Sequence, residues 1–114
     1  MDSILTSIKK LIGITKDDTS FDADIIMFIN YAFFVLHQLG VGPKKAFAIS
    51  DASSTWDEFT NDAEELESVK TYVYLKVKTI FDPPANSALM QSITNTMNEL
   101  EWRLVNQMET PGNS

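Results

Sequence analysis

Few residues of this chain have side chains that commonly carry out chemistry. His37 is the only histidine, and the chain has no cysteine. A zinc site or a catalytic triad would need partner residues at a readable spacing, and the sequence supplies none. Disulfides, thiolate metal sites and cysteine nucleophiles are excluded outright. We interpret His37 as a polar residue at a helix end, where its charge would suit the helix dipole.

The acidic and glycine residues do not form a binding motif either. Seven acids and no base lie between Asp51 and Glu67, but a calcium loop needs a central glycine, which this stretch lacks. The four glycines are too scattered to form a phosphate-binding loop. We interpret the acids as a solvated loop that leads into an acid-rich helix start. The sequence therefore predicts no catalytic, metal-binding or cofactor-binding residues, and no enzyme.

The overall charge limits the possible partners. The formal net charge is -7 over 114 residues. This charge argues against a protein that binds nucleic acid by neutralising its phosphates, because such proteins use clustered lysine and arginine. Lys70, Tyr74 and Lys78 follow one helical stripe that could touch phosphate, but three residues do not outweigh the acidic balance. The longest apolar run, Ile25 to Leu36, is too short to span a bilayer, which needs about 20 residues. No signal peptide is visible, and we predict a soluble protein.

The central element of the predicted fold is the stretch from Glu64 to Pro84. Apolar residues recur along it at steps of three and four, as on one face of an α-helix. Its acidic start and basic later part suit the helix dipole, and the two prolines after Asp82 end it. The apolar face consists of Leu66, Val69, Val73, Val77 and Ile80.

Three further helices are predicted around it. The first begins at a Ser3 cap and ends at Gly13, the second runs from Phe21 to Leu39 after a Thr19 or Ser20 cap, and the last runs from Asn86 or Ser87 to about Gln107. The stripe of the last helix is Leu89, Ile93, Met97, Leu100 and Leu104. We predict an all-α, four-helix domain over residues 1–106 and a flexible tail over residues 107–114.

A long loop joins helices two and three, from Val41 to Asp62. Lys44 to Ser50 can form a short strand that pairs with Thr55 and Trp56 as a hairpin, although an isolated hairpin is marginal in water. We expect Trp56 and Phe59 to fold back over the core as a lid. The length of the loop exceeds that of a simple connection.

The second helix is apolar on almost every side. One reading makes it the central core helix of the domain. The other is that Met27, Tyr31 and Phe34 face a neighbouring subunit, because exposed apolar patches mark interfaces. A core of this size rarely surrounds a helix completely.

Several segments together resemble the small helical head–tail connector proteins, also called head-completion or neck proteins, of long-tailed double-stranded DNA phages. The resemblance covers residues 4 to 106. It is carried by ILTSIKKLIGI followed by DDTSFDADI, by Gln38 to Gly42, by Thr55 to Phe59, by VKTYVYLKVKTIFDPP and by Glu99 to Leu104. No catalytic residue is carried over, because the family's motifs are not catalytic.

The resemblance implies a structural virion protein. Twelve copies would form a ring below the portal, extend the DNA channel and join head to tail. The partners would be other copies of the chain, the portal protein, the next neck or tail-completion protein, and double-stranded DNA that passes without sequence-specific binding. Assembly would take place in the host cytoplasm, and the protein would end in the phage neck.

Two sets of contact residues are expected. Met27, Tyr31 and Phe34 would pack against the adjacent subunit, and Phe47 and Trp56 would reach along the ring on the loop. The tail after Leu104 would become ordered on meeting the portal or the next neck protein. Its docking residues would be Val105, Asn106, Gln107 and Met108.

Two alternatives stay open from the sequence. One is a small helical adaptor or regulator that binds a protein partner. The other is a helix-turn-helix DNA-binding regulator, which would need a basic recognition helix after a tight turn. Neither Phe21–Leu39 nor Glu64–Phe81 supplies such a helix.

Overall fold

The computed structural model describes residues 2–109, and the side chains of residues 2–106. Its helices are α1 (Ile4–Leu11), α2 (Asp22–Gln38), α3 (Ala63–Phe81) and α4 (Ser87–Glu109), with a single 3₁₀ turn, Trp56–Glu58, between α2 and α3. No β-strand occurs among the described residues. The prediction of an all-α, four-helix domain is confirmed.

The helix ends show why these segments stop and start where they do. The Ser3 side chain accepts a hydrogen bond from the Thr6 amide at 3.2 Å, as predicted for the first cap. Asp62 accepts from the amides of Glu64 and Glu65, both at 3.0 Å, and so caps α3. The cap predicted for α2 is wrong, since Phe21 occupies that position and makes no side-chain cap.

Lys9 fixes the start of α2 in another way. It is 2% exposed, and its ammonium group lies 2.7 Å from a carboxylate oxygen of Asp22. The same group donates to the carbonyl oxygens of Lys16 at 3.2 Å and Asp18 at 2.7 Å. A buried ammonium needs such partners, because desolvating a charge is costly. Lys9 thus ties α1, the connection after it and the first turn of α2 together.

The core lies mainly between α2 and α3. Three residues of the predicted α3 stripe, Val69, Val73 and Val77, are fully buried, whereas Ile80 at the end of the helix is 40% exposed. Tyr72 is also fully buried, and the sequence pattern did not include it in the stripe. Its hydroxyl donates to the Glu101 carboxylate at 2.7 Å and so links α3 to α4. Burial raises the pKa of the Tyr72 hydroxyl above its usual value, and the hydrogen bond to Glu101 raises it further.

Helix α4 packs against α3 through the predicted stripe. Ile93, Met97 and Leu104 are buried, and Leu89 at the first turn is 51% exposed. The helix extends to Glu109, two residues past the predicted end. Residues 107–109 of the predicted tail therefore have helical backbone, and residues 110–114 lie outside the described part of the chain.

The predicted hairpin is wrong. The backbone of Ile49 pairs with the Asn30 side chain, which donates to its carbonyl at 2.9 Å and accepts from its amide at 2.8 Å. Thr55 forms an isolated antiparallel bridge with Ser3, at the start of the chain. A side chain of α2 and the N-terminal residues thus take the hydrogen bonds that a hairpin would have made within the loop.

The loop covers the core as predicted for the lid. The rings of Phe47 and Phe59 pack on Phe33 of α2 with centroids 4.9 and 5.1 Å away, and the Trp56 ring lies 6.2 Å away. Aromatic pairs at these distances are favourable beyond their buried area. Gly42 has φ +100, and a Cβ there would come 2.5 Å from the Phe59 ring, so glycine is required.

Replacing Val73 by aspartate should unfold the domain. The new carboxylate would be buried among apolar side chains, at a cost of several kcal/mol against a total stability of about 5–15 kcal/mol. Thr71→Asp is the matched control, because Thr71 is exposed on the same helix. Circular dichroism during thermal unfolding should show loss of helix in the first variant alone, and equal melting of both would contradict this packing.

Asn30→Ala should loosen the loop. The Ile49 amide and carbonyl would lose their partners in a buried position, which costs about 1–3 kcal/mol. The expected result is a lower free energy of unfolding and faster hydrogen exchange at the Ile49 amide. Gln38→Ala, at an exposed position of the same helix, should change neither quantity. Unaltered exchange at Ile49 in Asn30→Ala would show that the side chain does not hold the loop.

Candidate subunit interface

One face of α2 carries a row of exposed side chains, which we call the α2 ridge. Its members are Asp24, Met27, Tyr31, Phe34 and Gln38, and all five are exposed. The three large ones lie four and three residues apart, so they share one face of the helix. Met27 is 59% exposed, Tyr31 49% and Phe34 50%. The fold thus brings together three of the predicted interface residues, at the surface.

The packing of α2 explains why this face stays uncovered. Ile25 and Ile29 are fully buried, in the core that α2 shares with α3, and Phe33 is covered by the aromatic loop residues. Both of these packing directions are filled by the subunit itself. The ridge lies on the remaining side, where no other element of the described chain buries it.

The ridge is held rigidly. Its helix has 17 residues, and the buried residues between ridge positions, such as Ala32 and Phe33, fix its rotation. The Lys76 ammonium of α3 lies 5.3 Å from the Tyr31 ring centroid, within the range of a cation–π contact. A surface presented on a packed helix loses little conformational entropy when it binds.

Phe47 and Trp56, the other two expected interface residues, lie elsewhere. Trp56 is 3% exposed, and its indole N–H donates to the Ser7 hydroxyl at 2.8 Å. Phe47 is partly buried, with its ring on Phe33 and Phe59. The structure therefore gives both residues a role inside the subunit, and a contact of either with a neighbour stays a prediction.

The expected docking residues lie at the end of α4. Val105 and Asn106 are partly exposed, and the Asn106 amide donates to the Trp102 carbonyl at 2.7 Å. Gln107 and Met108 continue the helix, but their side chains lie outside the described residues. One turn earlier, Trp102 is 66% exposed. Trp102 is not part of the apolar stripe predicted for α4, and this indicated that its side chain lies outside the core. Trp102 was nevertheless not among the predicted contact residues.

A comparison with protein families decides what kind of protein carries this surface. The family model described as phage connector protein matches residues 4–111. The chain belongs to the phage connector protein family. No match was found among curated proteins or among solved structures. The resemblance to head–tail connectors is confirmed, and the protein is a structural component of the phage particle.

Within residues 2–106, no group of three or more histidine, cysteine or acidic side chains could hold a metal ion. Among the described helices of the connector, none is long and apolar enough to cross a membrane. The α2 ridge is the leading candidate for function, because it combines three large apolar side chains with a packed helix that supports them.

Proposed function

We propose that this connector assembles through the α2 ridge into a ring of twelve copies below the portal. The ring extends the DNA channel and joins the head to the tail. The observation that carries the proposal is the exposure of Met27, Tyr31 and Phe34 on a packed helix of a connector-family protein. Exposed apolar side chains that cluster on one face are typical of protein interfaces.

The energetics favour the ridge as the centre of an interface. Large aromatic side chains dominate the affinity of many interfaces, and truncating one commonly costs about 2 kcal/mol or more. Tyr31 and Phe34 are each about half exposed in the subunit, so each has a large area left to bury. The helix supplies them already ordered, which lowers the entropic cost of association.

The charge of the chain suits the passage of DNA. Each copy has a formal net charge of -7, so a ring would carry a strongly negative field. Such a field does not retain the phosphate backbone, because retention needs clustered cations. In this proposal double-stranded DNA passes through the channel without sequence-specific binding.

The end of α4 is the proposed docking point for the portal and for the next neck or tail-completion protein. The segment Val105–Met108 lies at the free end of the longest helix, and α4 packs mainly on α3. The exposed Trp102 adds a large apolar side chain to the same end. Assembly on the portal would take place in the host cytoplasm.

Phe34→Ala should weaken ring formation and leave the subunit folded. A loss of about 2 kcal/mol or more corresponds to roughly thirtyfold in affinity. The adjacent Phe33→Ala is the matched control, since Phe33 is 1% exposed and its truncation should cost about 3–5 kcal/mol of subunit stability. Analytical ultracentrifugation and thermal unfolding, with and without portal, separate the two effects.

The outcomes for the two phenylalanines differ clearly. Normal assembly of Phe34→Ala would contradict the ridge as the interface. Melting of the subunit in that variant would instead show that Phe34 supports the core. The proposal requires that Phe34→Ala fails to assemble and that its subunit unfolds at the same temperature as the wild-type subunit.

Removing residues 107–114 should weaken portal binding without unfolding the subunit. The deletion takes away the last three helical positions of α4, which lie beyond the Ile93, Met97 and Leu104 contacts with α3. Deleting only residues 110–114 keeps every helical position described for α4 and is the control. A portal pull-down should weaken more with the longer deletion, and normal binding of both truncated chains would contradict docking through this end.

A further inference from the structure

A groove lies on the flank of α3 opposite the α2 ridge. It is a cavity of about 500 Å³ between α1, the 3₁₀ turn and α3. Its walls combine apolar and cationic side chains. They are Ser7, Lys10 and Leu11 from α1, Trp56 from the turn, and Glu67, Lys70, Thr71 and Tyr74 from α3. We call it the α1–α3 groove.

The apolar part of the groove is open. Leu11 is 54% exposed although it belongs to the apolar side of α1, and Tyr74 is partly exposed. The largely buried Trp56 side chain lines the same cavity. These three side chains form an apolar surface on which large apolar side chains can pack. Binding sites are usually concave and lined mostly by apolar residues, as this groove is.

The rim of the groove is positively charged. Lys10 and Lys70 line it against one carboxylate, Glu67, so the groove has a local charge of +1 in a chain with a net charge of -7. The Lys70 ammonium lies 5.8 Å from the Trp56 ring centroid, which holds it at the rim. The groove thus fits an apolar surface that carries an acidic group.

The α2 ridge has that chemistry. Met27, Tyr31 and Phe34 are apolar, and the exposed Asp24 stands on the same row, three residues before Met27. Electrostatic complementarity of this kind fixes the register and the choice of partner. A second copy of this chain therefore offers a surface that matches the groove in both polarity and charge.

The two surfaces also lie on different sides of the subunit. Lys76, which touches Tyr31 of the ridge, and Tyr74, which lines the groove, are two residues apart on α3. Two residues of an α-helix are separated by about 200° around the axis. The ridge and the groove therefore flank α3 on opposite sides. A subunit in a cyclic ring needs two such different surfaces, because ring interfaces are heterologous.

We infer that the α1–α3 groove of one subunit receives the α2 ridge of the next. This inference rests on the proposed ring and adds the surface on which the ridge docks. Leu11, Trp56 and Tyr74 form the floor, and Lys10 and Lys70 pair with the acidic end of the ridge. Each copy then contributes a ridge on one side and a groove on the other.

Cross-linking tests this arrangement directly, because the chain has no cysteine of its own. Met27→Cys marks the ridge and Thr71→Cys marks the groove, and both positions are exposed. With a short bismaleimide, a mixture of the two variants should give a mixed dimer of about twice 12.8 kDa, identified by a tag on one chain. Neither variant alone should cross-link to itself, with or without portal.

The outcomes separate this inference from the proposed ring. Self-cross-linking of Met27→Cys would overturn the groove and indicate that ridge meets ridge. If the wild-type chain assembles but the mixture gives no mixed dimer, the ring stands and the groove is overturned. If the wild-type chain does not assemble with or without portal, the ring and the groove fail together.

Charge reversal provides a second, independent test. Lys10→Glu with Lys70→Glu should lower the affinity of assembly by about tenfold or more, because the groove would then repel the acidic end of the ridge. Lys44→Glu with Lys45→Glu changes the net charge by the same amount at two exposed loop positions and is the matched control. Ultracentrifugation that shows equal effects of the two pairs, with wild-type circular dichroism in both, would overturn the inference.

Discussion

The structure depends on how α2 is covered. This helix is apolar on nearly all sides, and α1, α3 and the long loop each pack on part of it. Ile25 and Ile29 are buried in the core cluster that α2 shares with α1 and α3, and the loop covers Phe33 with Phe47, Trp56 and Phe59. The side of α2 that carries Met27, Tyr31 and Phe34 stays at the surface. The apolar area of α2 that the subunit leaves exposed can then be buried when copies assemble.

Two sets of polar contacts hold the neighbouring segments in place on α2. Asn30 holds the loop on α2 through the backbone of Ile49, and Lys9 holds the first turn of α2 through Asp22. Both are side chains that satisfy backbone or charged groups in partly or fully buried positions, where an unpaired group would be costly. They fix which sides of α2 are covered and therefore which side remains exposed.

The sequence predicted the local features of the fold well. The cap at Ser3, the stop at Pro83 and the buried positions Val69, Val73 and Val77 of α3 follow from short-range patterns. The hairpin was wrong because Asn30, distant in the chain, takes the backbone hydrogen bonds of Ile49. Periodicity alone also could not separate Phe33, in the core, from its neighbour Phe34, at the surface, since that depends on where the loop folds.

The two proposed surfaces also differ in whether the sequence could predict them. The ridge could be predicted because its residues lie on one helix. The groove could not, because Lys10 and Lys70 are brought together only by the packing of α1 against α3.

The mass of the assembly tests the central claim, that the chain acts as a ring-forming head–tail connector. Native mass measurement of the 12.8 kDa wild-type chain, alone and bound to portal, gives the number of copies directly. We expect twelve copies on the portal, in a closed ring. A single copy, or a closed dimer that does not grow in the presence of portal, would contradict it.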